Sequence, residues 1–234
     1  MKIAIVIPTY NEKDNIKKII PQIFSLVPQS SLIIIDDNSP DKTADEVKKL
    51  RKKFPHLYLI KRKQKAGRGS AVIEGFKYAD KYIRPQIYIE MDADFSHNPK
   101  ELPQLIKSSK PKTVVLASRY VKDSQIINWP ISRKITSFFA NKLIRFILKL
   151  PIHDNTNGFR CYSKEAVNFL LNHQFKTQGY ILLSEAAYLL SQKGFDFLEI
   201  PSVFRNRKLG KSNANLAEFL RSLPALFLIK RIVK

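Results

Sequence analysis

Ile87-Tyr88-Ile89-Glu90-Met91-Asp92-Ala93-Asp94 decides how this chain is read. A short apolar run of strand length ends in two acids spaced i, i+2. In an extended segment such residues point to the same side. Two carboxylates therefore face one space at the carboxyl end of an expected buried strand. Open parallel sheets bind their ligands at that end. Paired carboxylates suit a hard cation shared with phosphate oxygens, Mg2+ or Mn2+. A D-x-D alone is common in solvated loops, so its meaning rests on what surrounds it.

Outward from this stretch, apolar strand-like runs alternate with helical patterns. Strands are expected at residues 2–8, 32–35, 57–60, 86–91 and 113–117. Helices are expected at 11–24, with Asn11 as N-cap, and at 41–54, 70–82 and 99–108. Such alternation is the mark of a parallel sheet with right-handed crossovers. The expected fold is α/β: a mostly parallel, Rossmann-like sheet flanked by helices. Three loops then share one crevice: Pro8-Thr9-Tyr10-Asn11-Glu12, Asp36-Asp37-Asn38-Ser39, and Asp92-Ala93-Asp94. An acid after the second strand can bind base or ribose donors, or Asp37 or Ser39 can cap the next helix. The two roles coexist if different residues take them.

The pattern changes after Arg119. Residues 135–150 and 214–234 read as basic amphipathic helices, apolar on one side and carrying Lys and Arg on the other. Such helices either pack on a domain or lie in a membrane interface with their basic stems reaching phosphate. The whole chain has 41 Lys and Arg against 20 acids, a formal net charge of +21. That excess calls for an anionic partner. Aromatic residues do not interleave with the basic ones as a base-stacking platform requires, so nucleic acid is not the expected partner. The apolar stretch at 223–229 is short and contains Pro224, and no other run reaches the roughly 20 residues of a spanning helix. No secretory leader is expected, because residues 1–2 run straight into a strand, and the single cysteine, Cys161, excludes an intramolecular disulfide framework.

Several chemistries find no support. Gly67-Arg68-Gly69-Ser70 lacks a third glycine and follows the third strand, so it is not a dinucleotide fingerprint. His56, His97, His153 and His173 have no metal-binding spacing, and only His97 is near the acidic pair. No local serine nucleophile motif is present.

The ordered series Pro8-Thr9-Tyr10-Asn11-Glu12, Asp36-Asp37-Asn38-Ser39-Pro40-Asp41, Gly69-Ser70-Ala71 and Met91 to His97 resembles the inverting GT-A glycosyltransferases of family 2. Ala117-Ser118-Arg119-Tyr120-Val121, Arg133-Lys134-Ile135, Asp154 to Arg160 and Gly179-Tyr180 resemble the dolichol- and polyprenol-phosphate mannose synthases within it. The resemblance covers roughly residues 3–213 and implies a GT-A domain, with a nucleotide half at about 1–118 and an acceptor half at about 119–213. Residues 214–234 then form a C-terminal helix that associates with membrane.

The implied reaction moves one sugar, mannose from GDP-mannose before UDP-glucose, onto a polyprenyl monophosphate at the cytoplasmic face of a membrane. The family's nucleotide contacts fall on Pro8, Tyr10, Glu12, Asp37 and Ala93. Its metal carboxylates fall on Asp92 and Asp94, with Asp94 the direct ligand of Mg2+ or Mn2+. Its acceptor-phosphate contacts fall on Arg119, Arg133 and Ser137. Its basic mobile-loop motif falls on Phe204, Arg207, Gly210 and Ser212. The chain departs from the family at Asp41-Lys42-Thr43, where Asp-Gly-Thr is usual, and at Asn213, where lysine is usual and Lys211 stands two residues before. Glu185 is implied as a support for the sugar or for helix packing, not as a base.

Overall fold

The computed structural model of the chain describes residues 1–177, 179, 181–206 and 216–231, the last stretch with side chains from 224 onward. In order, β1 (Ile3–Thr9), α1 (Lys13–Leu26), β2 (Ser30–Asp36), α2 (Thr43–Arg51), β3 (Leu57–Lys61), α3 (Arg68–Tyr82) and β4 (Ile87–Glu90) alternate. A 3-10 turn (Pro99–Glu101), α4 (Leu102–Ser108) and β5 (Thr113–Ser118) follow. Then come β6 (Gln125–Ile127), α5 (Ile131–Leu148), β7 (Arg160–Ser163), α6 (Lys164–Leu171), α7 (Ile181–Gln192), β8 (Asp196–Pro201), β9 (Val203–Arg205) and α8 (Leu216–Arg231).

Seven strands form one sheet in the order β3-β2-β1-β4-β7-β5-β8, and β6 pairs with β9 apart from it. All neighbours in the large sheet are parallel except β7, which runs antiparallel between β4 and β5. The α/β fold expected from the sequence, a mostly parallel sheet flanked by helices, is the one observed.

Strand periodicity sorts the core. Ile3, Ile5 and Ile7 of β1, with Leu32 and Ile34 of β2, meet Ile16, Ile19, Ile20 and Ile23 of α1, Val47 of α2 and Leu102 of α4 on one face. Ala4, Val6, Ile33 and Ile35 point the other way, onto Val72, Phe76 and Ala79 of α3 and onto α5 to α8. Both faces of the sheet are covered, which is why residues 3–7 of β1 and 32–35 of β2 are continuously apolar rather than alternating. Gly75 lets α3 sit this close to β1: a Cβ there would press into the Val6 side chain.

Helix starts differ from expectation in an instructive way. Asn11 is not the cap of α1; it sits at φ 60°, and Glu12 takes the N-cap position without a side-chain cap bond. The exposed N–H groups there are bonded from the next loop instead. Asn11 N donates to Ser39 Oγ (3.0 Å), Glu12 N to Thr43 Oγ1 (3.0 Å) and Lys13 N to Asp41 Oδ2 (3.0 Å). Neither Asp37 nor Ser39 caps α2; its N-cap position is Lys42, and Asp41, one residue earlier, accepts from Thr43 N at 2.9 Å. The first two loops are therefore stitched together before any ligand arrives.

Lys42, where the resembled family has glycine, stands at φ 66°, ψ 30°. The left-handed region costs a residue with a Cβ about 1–2 kcal/mol. Lys42→Gly is expected to stabilise the protein by about 0.5–1 kcal/mol, part of the relief being lost to the freer unfolded chain. Thermal unfolding should show a rise of about 1–4 °C.

Candidate active site

Parallel strands deliver their loops to one edge. β1 ends at Thr9, β2 at Asp36, β4 at Glu90 and β5 at Ser118, so Tyr10, Asp37, the acidic pair and Arg119 all follow carboxyl ends of strands. Because β7 runs antiparallel, its beginning lies at that same edge, and it brings the loop Asp154 to Phe159 there.

At the end of β1, Pro8 is half-buried and Tyr10 is exposed. Lys65 Nζ lies 3.9 Å from the centre of the Tyr10 ring. Glu12 accepts from Asn15 Nδ2 at 2.6 Å. Asp37 is buried and organises the basic loop. Its Oδ1 accepts from Arg62 Nη1 (2.7 Å), and its Oδ2 from Gly67 N (2.9 Å) and Ala66 N (3.2 Å). Asp37 and Tyr10 thus both border the 62–67 loop.

The acidic pair sits on a strained turn. Phe95 has φ 59°, a costly conformation for a residue with a Cβ. That turn folds the chain back so that Ser96 N donates to Asp94 Oδ1 at 3.0 Å. Asp94 and Ala93 are buried, and Asp92 is half-buried. Asp92 Oδ1 accepts from Arg68 Nε at 2.7 Å. Asp92 N donates to His97 Nδ1 at 2.9 Å, and His97 Nε2 meets Asn157 Oδ1 at 2.7 Å. An imidazole that accepts at Nδ1 carries its proton on Nε2 and is neutral. Burial agrees, pushing the His97 pKa below its ordinary value against the pull of Asp92 and Asp94. His97 is a structural histidine, stacked on Phe159.

No group of three metal-binding side chains occurs among the described residues. The acidic pair nevertheless fits a hard cation. Mg2+ and its like are held by one or two carboxylates together with substrate phosphates and water.

After β5 the site is built around a buried ion pair. Arg119 Nε and Nη2 bond both oxygens of Asp154, at 2.8 and 2.7 Å, and Nη2 also reaches Thr156 Oγ1 at 2.8 Å. Asp154 is fully buried. Burial would raise its pKa, but the Arg119 charge and hydrogen bonds outweigh that and hold it below the ordinary 3.8. Arg133, in the first turn of α5, stacks on Trp129 at 4.0 Å and donates to Asn206 Oδ1 at 3.1 Å. Ser137 lies one turn on and bonds the Tyr120 hydroxyl at 2.6 Å.

Phe204 brings the two sides together. Its ring lies 5.7 Å from His97, 5.3 Å from Trp129 and 5.2 Å from the Arg119 guanidinium. The adjacent Arg205 N donates to Ser96 O at 3.2 Å. His97 of the acidic loop, Trp129 and Arg119 therefore flank one phenyl ring, and Arg133 joins them by stacking on Trp129. Arg207, Gly210, Lys211, Ser212 and Asn213, and Tyr180, lie outside the described residues. Glu185 is fully buried and accepts from Lys176 N, Thr177 N and the Thr177 hydroxyl, so it holds a loop against α7.

Sequence reasoning missed Arg68, Glu90, Trp129 and Asn206, and it did not single out Asp154. Arg68 was hidden among the basic residues of 61–68. It emerges only because α3 starts at Arg68, not Ser70. Trp129 had one signal available, its being the only tryptophan of the chain.

The family model for glycosyl transferase family 2 matches residues 4–171. The undecaprenyl-phosphate mannosyltransferase of Micrococcus luteus is 31% identical over 212 residues, covering 91% of this chain and 87% of that protein. The polyprenol monophosphomannose synthase of Mycolicibacterium smegmatis is 34% identical over 212 residues, covering 89% of this chain and 79% of its own. Among solved structures, a mannosyltransferase from Pyrobaculum calidifontis in complex with GDP-Man and Mn2+ superposes with a TM-score of 0.68 at 16% identity. That match covers 99% of this chain and 64% of the other, and it speaks for the fold. With the strand order, the acidic turn after β4 and these matches in agreement, the chain is a glycosyltransferase and belongs to glycosyl transferase family 2.

Proposed function

We propose that this glycosyltransferase moves mannose from GDP-mannose onto the phosphate of a polyprenyl monophosphate, with inversion at the anomeric carbon. One observation carries the reading: His97 of the acidic turn and Arg119 both pack on Phe204, and Arg133 stacks on the Trp129 that packs there too, so a donor diphosphate and an acceptor phosphate can meet there. The names of the two relatives supply the acceptor class, and the Pyrobaculum complex supports the donor and a divalent metal.

The chemistry suits the residues present. A phosphate monoester has its second pKa near 6, about neutrality's lower side, so the acceptor is largely dianionic and attacks without a general base. His97, neutral and held at both ring nitrogens, is not needed as one. An oxygen of the acceptor phosphate forms the new bond to the anomeric carbon, and the bond to the nucleoside diphosphate breaks on the opposite side. Arg119 and Arg133 screen and orient the attacking dianion through charge-assisted contacts, with Ser137 beside them. Mg2+ or Mn2+ at Asp94 supplies electrostatic stabilisation to the departing diphosphate when bound. Arg207 and Lys211 are assigned to the same diphosphate from the resemblance, and Tyr10, Glu12 and Asp37 to the nucleoside.

The lipid acceptor also gives α5 a role. Ile131, Ile135, Phe138, Phe139 and Phe146 are exposed on it, Phe146 at 80%. No helix among the described residues is long and apolar enough to cross a membrane. We assign the α5 face, with Phe227 and Leu228 of α8, to insertion into the headgroup region of the cytoplasmic leaflet, which brings Arg133 and Ser137 of the same helix to the lipid phosphate. Phe139→Glu with Phe146→Glu should lower binding to anionic vesicles at least about tenfold in a flotation assay. Transfer to a short, water-soluble acceptor should be unchanged. Equal vesicle binding by the variant would remove α5 from the membrane.

The function itself is tested by a donor screen. Purified protein, a short polyprenyl phosphate and Mg2+ or Mn2+ are supplied with GDP-mannose or UDP-glucose, and the lipid product is identified by mass. Mannosyl phosphoprenol from GDP-mannose is expected. A glucosyl product alone, or none with either donor, overturns the assignment.

A further inference from the structure

Arg68 belongs to none of the roles assigned so far, yet its side chain ties three separate segments of the site together. It stands in the first turn of α3 and is largely buried. Its three guanidinium nitrogens go to three different places. Nε donates to Asp92 Oδ1 at 2.7 Å, Nη1 to Glu90 Oε2 at 2.7 Å, and Nη2 to the Gly158 carbonyl at 2.9 Å. Gly158 is shaped to this contact, for a Cβ there would collide with the guanidinium. Glu90 is almost fully buried and its other oxygen takes the Tyr162 hydroxyl at 2.6 Å. A second tie runs alongside, from Asp92 N through His97 to Asn157. Asp154, three residues before Asn157, grips Arg119.

From this geometry we infer that Arg68 is a positioning residue: it fixes the Asp92 carboxylate and locks the acidic turn to the 154–158 loop that carries Arg119. The inference rests on the functional reading above and deepens it. Two consequences follow. Asp92 is held to an arginine instead of turning to the cation, so the metal load falls on Asp94. The donor diphosphate and the acceptor phosphate are set at a fixed separation, because the segments that hold them are joined through this guanidinium, with the His97 tie beside it. The first consequence needs only a cation beside Asp92; the second needs the planar fork of arginine. A lysine ammonium on a flexible stem cannot reach three acceptors in one plane.

The test uses the full chain, with Arg68→Met and Arg68→Lys beside Asp94→Asn. Mn2+ binding in the presence of GDP, without acceptor, is followed by electron paramagnetic resonance of the free ion. Steady-state transfer and thermal unfolding are measured on the same samples. Arg68→Met removes a cation next to the metal position and releases Asp92, so Mn2+ should bind about threefold or more tightly, by simple charge attraction. At the same time kcat should fall at least about tenfold. Arg68→Lys keeps the charge and loses the fork, so Mn2+ affinity should stay within about twofold while kcat still falls at least about threefold.

A fall in kcat that merely follows lost folded protein, with Mn2+ affinity unchanged, reduces Arg68 to a packing role and overturns the inference. So does wild-type kcat in either variant. If Arg68→Met does not fold, the Arg68→Lys result decides alone. Should Asp94→Asn keep full activity, the functional reading fails, whatever Arg68 does.

Discussion

Asp94→Asn should reduce sugar transfer at least about tenfold, and by up to about a thousandfold if the metal is lost altogether, corresponding to about 1.4–4 kcal/mol of barrier. Asp94 is buried on the Phe95 turn with one oxygen taking the Ser96 N–H. Asparagine keeps the size and can still accept that bond, so the turn survives. It removes the negative charge, and a neutral amide oxygen is a poor ligand for a hard dication. The loss should be in kcat, because the stabilised charge develops as the diphosphate leaves. Raising Mn2+ should restore part of the rate if affinity is the main loss. Full activity at ordinary Mn2+ would move the metal away from this turn. Asp92→Asn should behave differently, since it also undoes the grip of Arg68.

Asp154→Ala has the largest expected effect on stability, about 3–5 kcal/mol, with a fall in melting temperature on the order of 10 °C. The pair it breaks is buried: Arg119 is 8% exposed and Asp154 not at all. Removing the carboxylate leaves a buried guanidinium without its counter-charge, bonded to Thr156 and set among aromatic rings. The 154–158 backbone suffers too, because Asp154 also accepts from Arg119 N and Asn157 N. Calorimetry on the variant gives the number directly, and a melting temperature within a degree or two of wild type would show the pair to be dispensable.

The pH response has a definite sign. The folded Asp154 pKa lies below its unfolded value because Arg119 favours the charged form. Its contribution is therefore present above the unfolded pKa and is lost as pH falls through the folded one. Acid unfolding of the wild type should steepen below about pH 4, and a variant without Asp154 should lack that component. Cys161, by contrast, has its thiol pushed up to about 12 by burial and stays unreactive at neutral pH.

The first half of the fold was legible because β1 and β2 are buried on both faces. Such strands must be continuously apolar, and residues 3–7 and 32–35 are. Strand β7 was not legible. Arg160-Cys161-Tyr162-Ser163 has neither alternation nor an apolar run, and it holds its place through partners far away in sequence. Arg160 is buried by spending its donors on the carbonyls of Asn157, Leu183 and Asn155. No local pattern announces a charge neutralised in that way. The same limit hid Arg68, whose three acceptors lie 22 to 90 residues away. Asn11 failed as a cap for a related reason, since the N–H groups of α1 are bonded from the following loop. What sequence did carry was the order of short motifs at strand ends. Those named Asp37 and Asp94, which follow the ends of β2 and β4; Arg119 and Arg133 came from the resemblance, and they stand just after β5 and in the first turn of α5.

The most direct measurement is a crystal structure with GDP and Mn2+, using the anomalous signal of the metal, and with a short polyprenyl phosphate soaked in. The expected result is one Mn2+ bonded to an Asp94 oxygen and to the GDP diphosphate, with the lipid phosphate held by Arg119 and Arg133 across Phe204. A metal bound elsewhere, or a phosphate that reaches neither arginine, would contradict the account.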